Sequence, residues 1–403
     1  MITISKSSLG AKLVALYIMS LPLSFLDAGS IGSVSKAIAF LPLVYYALVN
    51  FRSLRYFDCA SYETKALLVF LLLSFMSIIY SISTESSVSR CVSLFFNVVF
   101  IYLVSQNSFN RADKKIIAYS VLICSFVTSM LMLIYGYVGV DTFGRKIISV
   151  NGVEQDPNEM CQYLLIGIIL NFYSLLKGVK KILNIFLLVV SMATVLMSGS
   201  RGGLLTVVMC LGMIFVITLF RREEISVAKK IGMVILVIVL LIAFSYTYTS
   251  WLPSDLQQRL TYASIVADGG SHRSTIWANL FSNYKNFNFG RQIFGSGTAT
   301  VTVISGGYVA HNIYLETLVE MGAVGLLTLL ILYFTYIKSA WKSNNIVLFI
   351  SMIGFCMTGM TISTYRLKPL FLAYMLILIY KDNDSMEDGM LNALKSNNTV
   401  IND

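Results

Sequence analysis

Apolar runs of roughly 17 to 25 residues recur along almost the whole chain, each long enough to cross about 30 Å of hydrocarbon as a helix. Inside lipid every backbone group must be satisfied within the protein, and unbroken runs of this length do so as helices. About twelve are legible, near 11–26, 34–50, 65–83, 88–105, 116–138, 160–177, 181–199, 203–220, 230–248, 312–337, 346–362 and 368–380. The fourth and twelfth are the weakest, because Arg90 and Asn97 interrupt one and the other has a short apolar core. Only 12% of the residues are charged, against about a quarter in soluble domains. The expected fold is an all-α polytopic membrane protein of about twelve transmembrane helices. The first run follows a few residues with no small-residue cleavage site, so it reads as a retained helix rather than a signal peptide.

A net charge of +10 raises the possibility of nucleic acid, but its placement argues against that partner. Arg52, Arg111, Lys114, Lys180, Arg221, Lys230 and Lys338 all fall in the even-numbered connections, whereas the first odd one, "DAGSIGS", has no basic residue and "TESS" is acidic. Lys/Arg excess marks the cytoplasmic side, which puts both termini there. The resulting plan has nine spans over 1–248, a large outer loop with short helices over 249–311, three spans over 312–380 and a cytoplasmic tail over 381–403. The basic residues left on the outer side need another explanation. Six cysteines, with Cys59 on the inner side and no pair in the outer loop, do not form a disulfide framework. His272 and His311 are the only histidines and have no ligand-spaced partners, so no metal site is expected.

Four outward stretches depart from plain membrane packing. In "NGVEQDPNEMCQYLL", Asp156-Pro157-Asn158 signals a turn, and Asp156 or Asn158 suits a helix cap. Glu154, Asp156 and Glu159 crowd the same edge, where acidic groups either line water or bind something. "MSGSRGGLLTVV" holds Arg201 in a connection too short for it to leave the boundary. Glycines at 199, 202 and 203 either open the backbone to a phosphate at a helix start or serve helix packing around a snorkelling arginine. The loop after Trp251 has helical spacing from Arg273 to Phe281, with Trp277 and Phe281 on one face of an expected amphipathic helix. Its aromatic residues equally suit a small loop core. A glycine-rich return, "IFGSGTATVTVISGGY", leads to His311, and "STYRLK" lies on the same side.

Arg201, Arg273, Arg366 and His311 thus face one compartment, beside a span containing Glu316 and Glu320. Charges within a span normally face a protein interior or water, so a wet cleft is expected along that helix. Several guanidiniums call for an anion with many oxygens, above all phosphate or diphosphate. A site opening beside lipid suits a carrier whose tail remains in the bilayer. With no Walker sequence, the driving force would come from the lipid-diphosphate bond itself. Arginine would stabilise the departing diphosphate, and histidine would take the attacking hydroxyl's proton. Glycosyl transfer without metal or other cofactor is the natural expectation.

Four motifs occur in order: "DPNEMCQYLL", "SGSRGGLL", "HRSTIW" with "IFGSGTA", and "HNIYLETLVEMGAVGLL", whose histidine is His311 and whose glycine is Gly322. In this set the chain resembles the O-antigen polymerase and ligase superfamily of bacterial envelope glycan assembly, and within it the Wzy-type polymerases. The resemblance implies a C-type glycosyltransferase (GT-C-like) architecture in the inner membrane with its active site facing the periplasm. It implies an undecaprenyl-diphosphate-linked oligosaccharide donor, membrane lipid around the site, and a chain-length regulator and a flippase as accessory partners. It makes His311, Arg273 and Arg201 the catalytic residues. Asn312 and Tyr314 would support His311, Arg291, Arg366 and Glu316 would contact substrate, and Asp156 and Asn158 belong to a signature of unassigned role. The motifs do not separate a polymerase from a ligase that transfers the glycan to lipid A–core. A transporter of about twelve spans is a third possibility, which predicts inverted repeats and broken helices at the midplane.

Overall fold

The computed structural model describes residues 7–25, 33–52, 61–138, 144–150, 153–220, 226–267, 273–363, 367–381 and 388–395. A helix occupies each expected span: α1 Leu9–Ser20, α2 Val34–Arg52, α3 Tyr62–Met76, α4 Thr84–Ser105, α5 Arg111–Tyr135, α6 Pro157–Leu176, α7 Lys181–Met197, α8 Arg201–Phe220 and α9 Val227–Ser250. Five short helices follow, α10 Ser254–Arg259, α11 Tyr262–Ala267, α12 Arg273–Lys285, α13 Phe289–Phe294 and α14 Val301–Ile304. The chain then returns through α15 Ile313–Lys342, α16 Ile346–Thr358, α17 Lys368–Ile379 and a terminal α18 Gly389–Leu394. Seven helices among the described residues are long and apolar enough to cross a membrane. The chain is an all-α polytopic membrane protein.

Local chemistry sets the helix ends. Asn110 and Asp113 form a reciprocal capping box on α5, and Asp113 Oδ1 also accepts from Ser8 N at 2.6 Å, tying α1 to α5. Within the bundle, α6 is 94% buried and so is the central helix, whereas α9 is 6% buried and lies outermost. The only strands among the described residues are two-residue ladders, β1 Tyr137–Val138 with β2 Lys146–Ile147, and β3 Ser149–Val150 with β4 Val153–Glu154. They fold the segment from α5 to α6 over one end of the bundle.

At that end α15 is broken. Gly322 has φ 68° and ψ −168°, which interrupts the helix. The interruption is stitched rather than left open: Ser296 N donates to Val319 O at 3.1 Å and Gly297 N to Glu320 O at 2.9 Å. A polar backbone gap would be costly inside a bilayer, so the segment 295–297 replaces the missing helical donors. Thr298 continues the stitch, its amide donating to Ser77 Oγ at 3.1 Å and its carbonyl accepting from Ser87 Oγ at 2.6 Å. The glycine-rich return is therefore a wedge between the α3–α4 turn and the broken helix. Leu280 is the buried anchor of α12, packed with Val301, Ala310 and Val319, while Phe281 stays 45% exposed. The Trp277–Phe281 pairing expected from spacing is thus one residue out of phase with the packing.

Candidate active site

Three helix N-termini meet at this end, those of α6, α8 and α15, and each carries one of the sequence motifs. Asp156 caps α6, its Oδ1 accepting from Asn158 N at 2.8 Å and from Asn158 Nδ2 at 2.5 Å. Asn158 in turn accepts from Ser200 Oγ at 2.6 Å, and the same Ser200 oxygen accepts from Gly203 N at 3.0 Å. The "DPN" and "SGSRGG" stretches are thereby one hydrogen-bonded unit.

His311 faces this unit, with Nδ1 4.0 Å from Asp156 Oδ2 and both side chains about a third exposed at 32% and 27%. Its backbone is left-handed, φ 48°. An L-residue other than glycine pays about 1–2 kcal/mol there, and such strain gathers at working sites. Asn312 caps α15 immediately afterwards, accepting from Tyr314 N at 3.0 Å and Leu315 N at 3.1 Å. The Tyr314 hydroxyl donates to Cys356 O at 2.7 Å, pinning α15 to α16. Both residues therefore position His311 through the backbone. Asn312→Ala is expected to lower thermal stability by about 1 kcal/mol, the usual worth of a lost cap, measured as a melting shift of the purified protein.

Arg201 begins α8. Its Nε donates to Arg259 O at 2.8 Å and a terminal nitrogen donates to Ser264 Oγ at 2.8 Å; Arg259 Nε reciprocates to Gly199 O at 3.2 Å. Two of the nearby glycines serve packing rather than ligand access. A Cβ on Gly202 would lie 2.4 Å from Thr361 Oγ1, and one on Gly203 would lie 2.8 Å from Cys161 Sγ. Arg273 opens α12, one turn before Trp277 on the same face. Trp277 Nε1 donates to Ala310 O at 2.8 Å, which suspends α12 from the residue beside His311.

The remaining sequence candidates are dispersed. Arg291 is exposed on α13, where its amide meets the Asn288 cap at 2.9 Å. Glu316 is buried and accepts from the Ser363 hydroxyl. It and Glu320 line a polar cavity of about 410 Å³ farther along α15, opposite Lys36, Ser89, Arg90 and Thr302. The glutamates thus face hydroxyls and cations rather than lipid, as the expected wet cleft requires. Arg366, His272, Cys59 and the Glu154 side chain lie outside the described residues.

One residue at the site has no counterpart among the sequence candidates. Arg145, on the turn before β2, donates from Nε to Ser198 O at 2.9 Å. Burial pushes its guanidinium below the ordinary value; the fields of Asp156 and Cys161 oppose this and that of Arg201 adds to it. Arg145 therefore lies within the field of both Asp156 and Arg201. The available signal was topological: Arg145 and Lys146 form a basic pair in a connection where Lys and Arg are otherwise sparse.

Residues 186–330 match the O-antigen ligase family. The matched region begins in α7 and includes Arg201, Arg273, His311 and Gly322, so it holds three of the four motifs. The match supports glycosyl transfer or ligation in polysaccharide assembly. No curated protein matches the chain. Among solved structures, a chain from "Structural coordination of polymerization and crosslinking by a peptidoglycan synthase complex" is similar at 17% identity with a TM-score of 0.46, over 81% of this chain and 98% of that one.

Proposed function

We propose that this protein is a glycan polymerase that joins lipid-diphosphate-linked repeat units without a metal or other cofactor, with the site facing the periplasm in a GT-C-like bundle of the inner membrane. The observation that carries this reading is the Asp156–His311 pair where three helix N-termini meet, with Arg145 within the field of Asp156 and of Arg201. In the reaction, the acceptor hydroxyl oxygen attacks the donor's anomeric carbon and the bond to the diphosphate breaks. The electron pair leaves with the lipid diphosphate, and the hydroxyl proton passes to His311. With Nδ1 turned toward Asp156, Nε2 is the nitrogen that would accept it, and the carboxylate stabilises the imidazolium formed. A 4.0 Å separation is too long for a hydrogen bond; catalytic contacts often tighten only once substrate is bound.

Arg201 and Arg259 now hold neutral carbonyl oxygens. A phosphate oxygen adds charge–charge attraction and a bidentate geometry that a neutral carbonyl cannot offer, so a diphosphate would displace these contacts favourably. Arg273 would approach the same anion from α12. Arg201→Lys, which loses the planar fork, and Arg273→Ala are each expected to cut polymer formation by about tenfold or more, with protein still present in the membrane. Near-normal polymer from both variants would remove the arginines from the site.

The ligase alternative has one observation in its favour, the family description itself. The two are separated by supplying purified protein with lipid-linked repeat units alone. Chain growth supports the polymerase, whereas strict dependence on added lipid A–core supports the ligase. An undecaprenyl diphosphate donor, a flippase that delivers it and a chain-length regulator are the partners this reading entails.

A further inference from the structure

Arg145 is built into the site more deeply than a surface tether needs. Its Nε donates to Ser198 O. Its Nη2 is buried and makes no hydrogen bond among the described residues. Leaving a buried charged donor unmade costs about 1–3 kcal/mol or more, and native proteins keep such groups where something else completes them. The backbone makes room for it. Gly199 has φ 58°, and a Cβ there would lie 2.7 Å from both Arg145 Cγ and Leu256 Cδ1. Gly144, just before it, has φ 74°, and a Cβ there would lie 3.3 Å from Leu256 N of α10. Glycines thus let this side chain lie under α10 against the turn leading into Arg201.

We propose that Arg145 binds the diphosphate of the lipid-linked substrate, offering its buried Nη2 to a phosphate oxygen in the anion seat it shares with Arg201. The assignment rests on the function proposed above and extends it, because it adds a ligand from outside the matched family region. Leu256 of α10 lies against the turn that carries Arg145. The tie of α10 to the α7–α8 turn through Arg259 and Gly199 is among the contacts an incoming diphosphate would replace. A diphosphate carries two anionic centres, and two guanidiniums on separate elements can grip both, whereas a monophosphate satisfies one.

The test uses the full chain in lipid nanodiscs with two probes, a polyprenyl diphosphate and the polyprenyl monophosphate of equal length. Wild-type protein is expected to prefer the diphosphate. Arg145→Gln should weaken diphosphate binding by about tenfold or more and leave monophosphate binding within about threefold, so that the preference collapses. A purely structural Arg145 would instead lower the melting temperature of the empty protein and leave the affinity ratio unchanged. If the glutamine variant fails to fold, Arg145→Lys decides, since it keeps a cation but loses the fork. Wild-type diphosphate affinity in folded Arg145 variants, with affinity lost in Arg201→Lys, overturns this assignment alone. A wild-type protein that binds neither probe overturns the proposed function, and the assignment with it.

Discussion

Replacing His311 with asparagine is expected to abolish long glycan chains, with the rate falling about 10²- to 10⁴-fold, the usual contribution of a positioned proton acceptor. Asparagine is the informative substitution because residue 311 sits at φ 48°, and asparagine tolerates the left-handed region better than most residues. The backbone that hangs α12 from Ala310 should therefore persist while the base is removed. His311→Ala should be equally inactive and less stable, because alanine bears the backbone strain without local hydrogen bonding. Glycan length on gels, against protein recovered in the membrane fraction, separates chemistry from folding. An asparagine variant that builds chains of normal length at a normal rate would exclude the imidazole from the reaction.

The largest structural effect is expected at Gly322. A Cβ there would lie 2.2 Å from Ile293 O and 2.5 Å from Phe294 N, both backbone atoms that no rotamer change can move. The residue also has φ 68°. Left-handed strain of about 1–3 kcal/mol combines with an overpacking cost of about 1–3 kcal/mol, so Gly322→Val should destabilise by about 2–6 kcal/mol. Gly295→Ala attacks the same crossing from the other side, its Cβ meeting Glu320 O at 2.2 Å. Both variants should show a large loss of monodisperse protein on detergent extraction and a lower melting temperature. Wild-type stability in either would mean that the wedge at 295–297 does not hold the broken helix together.

These two residues show how differently parts of the site could be read. Gly322 was visible as a motif glycine, but its reason was not, since it depends on the α13 backbone some thirty positions earlier in the chain. His311 was visible because a rare ionisable residue at the edge of an apolar run is conspicuous. Its Asp156 partner came from another stretch, and nothing local to either residue encodes their approach. Gly202 and Gly203 show a choice that the sequence left open between ligand access and packing. Their place beside an arginine invited a ligand-binding explanation, but Thr361 and Cys161 occupy the space their missing side chains leave.

What this chain determined by itself was the placement of its apolar helices and of the polar motifs that fall at helix starts. Lipid makes that much local, because a span must be long, apolar and internally hydrogen-bonded whatever its neighbours are. Which cations share a seat, where α15 breaks and what repairs the break were decided by tertiary structure. Each depends on atoms from distant segments coming within a few ångströms of one another, and packing that close is invisible in the periodicity of any single helix.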